Sequence, residues 1–495
     1  MTFEQAKQHY TETMDKVDAL DYATSLLHWD MDTIAPKKGQ AVRGQTIAKL
    51  SGEVFALTTS EAYGQALDAL WENADKLDSI LRRSVEVARR DYEKDKKIPQ
   101  DLFEAYTLAQ SASNNAWKEA KAQNDFALFH PHLEKLIGFS KQFVELWGFE
   151  GHPYNALLDN YEEGMTVEML DGIFPPLRDA TAALVGKIGV KEQPRKPIIS
   201  AGKQEQIGHY LLRTMGYDLE AGNLFTTEHP FESRIHPHDV RVTTHYYEEN
   251  PFSSLFSVLH EGGHGMYEQN VSDDLPGNLH SGASLGIHES QSRFWENIIG
   301  RSRAFWETQF APLSAIAGVG LGTDAEDAFR TANHTAPSLI RIEADELTYN
   351  LHVIIRYELE KAIFSGDIAV NDLPGLWNEK YREYLGVSAD TAAQGILQDM
   401  HWSAGYFGYF PTYSLGNLYG AQFAATLQKE LGGLDSLIRE QGGFSKIRGW
   451  LTEKIYRYGK LETPSQILQR VTGEPLNSRY FIDYITAKMA DLYGI

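Results

Sequence analysis

His260-Glu261-Gly262-Gly263-His264 is the stretch on which the reading of this 495-residue chain turns. On an α-helix, residues i and i+4 project from one face about a turn apart, so two imidazoles so placed can share one metal ion. Glu261 falls about 100° further round the same helix. From there a carboxylate reaches the attacking water rather than the ion, which is what a general base must do. The five residues match H-E-x-x-H, the helix signature of zinc proteases. A pattern with three fixed positions also arises by chance, so its meaning depends on whether the rest of a site can be found.

The residues just before the motif have a different texture. Phe231 to Glu249 contains Val240-Arg241-Val242-Thr243-Thr244-His245-Tyr246-Tyr247, rich in β-branched and aromatic side chains, and predicts a short two- or three-stranded sheet near the metal helix. Asn250-Pro251 ends it, and Ser253 or Ser254 is the expected N-cap of a helix running through His264. Gly262 and Gly263 inside that helix each cost about 1 kcal/mol relative to alanine. Such a pair makes sense where something must approach the backbone closely, a neighbouring strand or a substrate.

Further out, the chain reads as mostly α. Apolar residues recur at helical spacing through Val17, Leu20, Ala23 and Leu27, and again through Leu67, Leu70, Leu77, Ile80 and Leu81. His28 to Pro36, followed by Lys37-Lys38-Gly39, breaks the first two helical stretches apart. Asp91 to Lys97 alternates in charge and reads as a solvated helix end. Lys191 to Ala201, with two prolines, is the expected connector. After residue 281 the pattern is helical to the end, with breaks near Gly366-Asp367, Pro374, Gly386 and Gly432-Gly433.

Composition narrows the function. The chain has 46 Lys+Arg against 68 Asp+Glu, a net charge of −22, which argues against nucleic-acid binding. It has no cysteine, so disulfides, thiolate nucleophiles and Cys-ligated zinc are excluded and any metal must be held by His, Asp or Glu. Residues Met1 to Asp15 have no apolar signal region, and no stretch approaches the roughly 18 apolar residues of a membrane span. A cytoplasmic protein is expected.

Eight of the 17 histidines lie between His229 and His288, which favours a local site. A catalytic zinc takes three protein ligands and leaves a position open. Gly286-Ile287-His288-Glu289-Ser290-Gln291-Ser292-Arg293 sits on a helix expected to start near Ser281, a loop and a return helix beyond His264. Glu289 is the first choice for third ligand and His288 the second. Gly282-Ala283-Ser284-Leu285-Gly286 also fits the serine-hydrolase elbow G-x-S-x-G, but that motif needs a buried strand before it. Here Asp273 to Asn278 reads as a loop, so small residues passing close to the metal helix explain the stretch better. Downstream, Ile340-Arg341-Ile342-Glu343-Ala344-Asp345 places an arginine in a helical context. Gln398-Asp399-Met400-His401-Trp402 precedes the aromatic run Tyr406 to Tyr413. An oxyanion forming beside a metal needs donors that do not compete for it, and Tyr or His suits that task.

These residues carry a family resemblance. The sequence is similar to the carboxypeptidase Taq family of metallocarboxypeptidases over nearly its whole length. The motifs that carry the likeness are His229-Pro230-Phe231, Asp239-Val240-Arg241-Val242-Thr243, His260 to His264, His288-Glu289-Ser290-Gln291, Ile340 to Asp345, and Gly395 to Trp402, in the family's order. The resemblance implies a large, mostly helical single-domain protein with a deep central groove and a small β-sheet next to the zinc helix. The domain would span 1–495, with an N-terminal helical part over about 1–190 and a zinc-site core over about 200–420. It implies a homodimer, one zinc (or cobalt) per chain held by His260, His264 and Glu289, and Glu261 as general base.

On this reading the enzyme releases single amino acids from peptides with a free C-terminal carboxylate. His401 and one or more of Tyr406, Tyr409 and Tyr413 would stabilise the oxyanion. Arg341 would bind the substrate carboxylate and Arg241 would lie near the blind end of the groove. The nearest alternative keeps the metal and cuts further inside the peptide, as an oligopeptidase or dipeptidyl-carboxypeptidase. A non-catalytic metal-stabilised scaffold would have lost Glu261, which is present.

Overall fold

Thr2 begins the first helix, α1 (Phe3–Asp32), with a reciprocal cap: its hydroxyl accepts from the Gln5 N–H while the Thr2 N–H donates to the Gln5 side chain. The computed structural model describes residues 1–189 and 191–495. α1 stops at Thr33–Pro36, as the proline predicts, and after a 3-10 turn at Lys37–Gly39 the chain returns along a helix over Gln40–Thr58. That returning helix buries only Ile47. The N-terminal helices have a small core of their own, including Tyr10, Tyr63, Leu67, Leu70 and Val85, distinct from the main core.

Helices continue to Ile188, and the expected connector is irregular up to the helix Ala201–Met215. The one sheet among the described residues has three strands, β1 (Leu224–Thr226), β2 (Glu232–His236) and β3 (Asp239–Thr244), in the order β1-β3-β2. β3 pairs parallel to β1 and antiparallel to β2. Val240 and Val242, alternating along β3, are fully buried.

The sheet packs on α2 (Pro251–Gln269), the helix that carries the motif. Its start differs from expectation. Pro251 occupies the first turn, where its fixed φ suits a helix and its missing N–H costs nothing. Ser253 and Ser254 therefore lie inside the helix, and the Ser254 hydroxyl donates to Gln204 rather than capping. The two glycines do mark close approach. A Cβ on Gly262 would stand 2.9 Å from Leu212 Cδ2, and one on Gly263 only 2.6 Å from the Gln291 carbonyl oxygen.

Gln291 belongs to α3 (Leu285–Arg293), which runs on as a π-helical turn over Phe294–Ile299. α3 starts later than Ser281 because Ser284 caps it, accepting from the Ile287 N–H at 3.0 Å. Two long helices close the other side, α4 (Tyr349–Ser365) and α5 (Pro411–Leu431). On α4, Leu351, Val353, Ile354 and Ile355 are buried essentially completely, about 1.5–3 kcal/mol each. The breaks at Gly366, Gly386 and Gly432 all fall at helix C-termini, whereas Pro374 starts a helix instead of ending one.

The expectation of helix around Arg341 is wrong. Arg341–Glu343 is a single 3-10 turn within an irregular segment. The reason is Asp345, whose carboxylate accepts from the backbone N–H groups of Ala336, Leu347 and Thr348 and so replaces a helical ladder. Residues 387–400 are likewise irregular. The fold is mostly α with a small sheet beside the metal-motif helix. Among the described residues, no helix is long and apolar enough to cross a membrane.

Candidate metal centre and active site

The helical spacing of His260 and His264 on α2, and the packing of α3 across Gly263, bring three donors to one point. His260 Nε2 lies 3.6 Å from Glu289 Oε2, and His264 Nε2 lies 3.3 Å from the same oxygen. All three donor atoms fall within 4.8 Å of one another. Ligand atoms around a tetrahedral ion with bonds of about 2.0–2.1 Å stand about 3.3 Å apart, so the spacing fits a small divalent cation. The donor chemistry fits as well, two imidazoles and a carboxylate, borderline and hard bases of the kind zinc takes.

Glu289 and His264 are each held in the protonation state a ligand needs, whereas at His260 burial, which lowers the pKa, is outweighed by the Glu289 and Glu296 carboxylates, which raise it. Glu289 is pulled well below the usual carboxylate range: burial works against this, but Arg293, His260 and His264 outweigh it. Its other oxygen accepts from Arg293 Nε at 2.7 Å, and Ser292 Oγ donates to Oε2 at 3.1 Å. His264 is pushed down to about 3 by burial and by the neighbouring His288, so it is a neutral imidazole. Gly416 on α5 lets Glu289 lie against the helix backbone; a Cβ there would be 2.4 Å from Glu289 Cγ.

Glu261 is buried beside the triad but is not one of the converging donors. Burial raises its pKa to about 7; the His260 charge opposes this and the Glu289 and Glu296 carboxylates add to it. His288 does not turn towards the triad. Its ring stacks on His264 with centroids 4.4 Å apart, and its Nε2 is 3.0 Å from Glu268 Oε1. Ser284 is occupied as a helix cap and follows no buried strand, so the elbow pattern is coincidental.

A second layer, unassigned by sequence reasoning, surrounds the triad. Glu296 Oε2 sits 2.9 Å from His260 Nδ1, and Arg293 and Arg301 donate to its two oxygens. Arg293 in turn lies over the Tyr349 ring at 4.4 Å, and Tyr349 accepts from Arg341 Nη1 at 3.0 Å. Glu289, Arg293 and Glu296 stand at i, i+4 and i+7, one stripe of a helix facing α2. That spacing was a readable signal, obscured because such a stripe is ordinarily a solvated ion-pair row.

Through Tyr349 the metal motif connects to the other candidates. Arg341 is buried, with Nε and Nη2 each 3.0 Å from Asp399 Oδ1. Asp399 also accepts from the fully buried Arg356. Arg341 lies 4.8 Å from the Tyr413 ring, and the Tyr413 hydroxyl is 3.1 Å from His401 Nε2. His401 is pushed down to about 3 by burial and by Arg341, so it too is neutral. Tyr409 and Tyr413 are raised, chiefly by burial, and both feel the Glu289 carboxylate. Tyr406 packs on Tyr409 but is 44% exposed. Arg241 stands apart on β3, in a bidentate pair with Asp239 at 2.7 and 2.8 Å and over the Trp29 ring of α1.

Comparison with known proteins identifies the family. The family model described as carboxypeptidase Taq (M32) metallopeptidase matches residues 9–489. Carboxypeptidase 1 of Bacillus subtilis is 44% identical over 98% of each chain. Thermostable carboxypeptidase 1 of Thermus thermophilus is 39% identical over the full length of both. A carboxypeptidase of Deinococcus radiodurans, solved by crystallography, superposes with a TM-score of 0.94 at 37% identity, covering 99% of this chain and 100% of that one. With a divalent-metal donor set at its centre and this likeness along its whole length, the chain belongs to the carboxypeptidase Taq family of metallopeptidases and is a metallocarboxypeptidase, a peptide hydrolase.

Proposed function

We propose that this enzyme removes single amino acids from the free C-terminus of peptides, with His260, His264 and Glu289 holding one zinc ion, for which cobalt can substitute. The observation that carries the reading is the meeting of three metal-type donors with Glu261 beside them and outside their set. The ion supplies Lewis acidity, polarising the scissile carbonyl and acidifying water. Glu261 takes the proton of the attacking water and returns it to the leaving amine. His401, neutral and able to donate, and the hydroxyl of one or more of Tyr406, Tyr409 and Tyr413 stabilise charge developing on the carbonyl oxygen. Arg241 limits how far a peptide extends along the groove.

Arg341 recognises the terminal carboxylate. Of its five N–H groups, Asp399 and Tyr349 take three, leaving one on each terminal nitrogen for an incoming carboxylate. We read the chain as one catalytic domain acting as a cytoplasmic homodimer.

Arg341→Ala is expected to raise KM for peptides with a free carboxyl end by roughly 10–100-fold, the worth of a charged hydrogen bond of about 1.5–3 kcal/mol. C-terminally amidated peptides should already be poor substrates and should lose little more. Product analysis on one short peptide decides the mode of cutting. Single residues appearing one after another support the proposal, whereas dipeptides, or equal cleavage of amidated peptide, overturn it.

A further inference from the structure

We propose that Glu296 is a positioning residue for the metal, fixing His260 so that its Nε2 lone pair, and no other atom, faces the triad. The inference rests on His260, His264 and Glu289 being the metal ligands. An imidazole on a helix can rotate about two side-chain bonds and carry its proton on either nitrogen. A ligand must have both choices made for it. Glu296 Oε2 lies 2.9 Å from His260 Nδ1. Arg293 donates to that same oxygen at 3.2 Å and Arg301 to the other at 3.1 Å. Between two guanidinium groups the carboxylate is an acceptor only, so Nδ1 must hold a proton, and in the neutral ring that a metal ligand requires Nε2 is then the free atom.

Three features single out this contact from an ordinary buried ion pair. Glu296 sits on a π-helical turn, Phe294–Ile299, inserted directly after α3. Such turns are rare and concentrate at functional sites, where they re-aim side chains. Glu296 shares Arg293 with the ligand Glu289, so one cation sets the spacing of both carboxylates. The two imidazoles are also treated unequally. Among the described residues His264 Nδ1 has no hydrogen-bond partner, and its ring is held by stacking on His288 instead. Orientation by hydrogen bond is therefore concentrated on His260.

Loss of such an outer partner typically costs 10–100-fold in metal affinity. Zinc affinity of the full-length protein, measured by chelator competition, should fall about 10-fold in Glu296→Gln, which keeps the acceptor but not the charge. It should fall nearer 100-fold in Glu296→Ala. In the cobalt-loaded protein, the visible absorption band should shift in position or intensity in both variants. A purely structural role predicts a lower Tm with wild-type zinc affinity and an unchanged cobalt band, and that result overturns the proposal. If Glu296→Ala does not fold, the isosteric Glu296→Gln decides alone. His260→Ala separates the two failures. If it leaves zinc affinity intact, the ligand assignment itself is wrong; if it abolishes binding while both Glu296 variants bind like wild type, only the role of Glu296 fails.

Discussion

Glu261→Gln should leave the metal content of the protein unchanged while lowering kcat by about two to four orders of magnitude. The amide has the size and shape of the carboxylate, so packing in this buried position is preserved, but it cannot accept a proton. Glu261 is outside the converging donor set, which is why retention of metal is expected. KM should move little, because the interaction lost is made in the transition state. Metal analysis beside steady-state kinetics tests this, and a fully active Glu261→Gln removes it as the base. The wild-type pH profile follows from the same residue. Burial holds Glu261 at about 7 without an ion, and a cation on the neighbouring donors favours its ionised form. The acid limb of kcat/KM should therefore rise with pH and be centred below that value.

The second large effect is expected from a residue with no side chain. Alanine in place of glycine inside a helix ordinarily gains about 1 kcal/mol. At Gly263 the added Cβ would lie 2.6 Å from the Gln291 carbonyl oxygen and 2.8 Å from Ser292 Cα, both backbone atoms of α3. Neither can yield without moving α3, and α3 carries Glu289. Overpacking of this kind costs about 1–3 kcal/mol or more, which outweighs the gain in propensity. Gly263→Ala should lose net stability and bind zinc at least roughly 10-fold more weakly, since the third donor is displaced from the imidazoles. Gly172, also within a helix, has no atom near an added Cβ, and Gly172→Ala should be neutral or stabilising. Denaturation midpoints and zinc titrations of the two variants should differ in sign; matching behaviour would disprove the packing argument.

The motif, the strand region before it and the close approach at its glycines were readable because each follows from local rules. Helical spacing puts His260 and His264 on one face, β-branched density makes β3, and paired glycines announce crowding. Glu289 could be ranked but not chosen from residues alone; its role as third ligand entered through family resemblance. What local rules missed had long-range causes. Ser254 looks like a cap, yet its hydroxyl is engaged by Gln204 on another helix. Arg341 sits among good helix formers, yet Asp345 captures the backbone that a helix would use. Glu296 resembles any charged helix residue until a π-turn and two arginines deliver it to His260. Chemistry that depends on tertiary neighbours does not announce itself in spacing.

The separate small core under the N-terminal helices has a consequence for how the molecule comes apart. Its buried set is a fraction of the main one, and the helix over Gln40–Thr58 contributes only Ile47 to any interior. Contiguous units with few apolar contacts open well below the free energy of global unfolding. Amide exchange should show residues 40–58 surrendering their protons first, while α2 and α3 hold theirs until the whole chain melts.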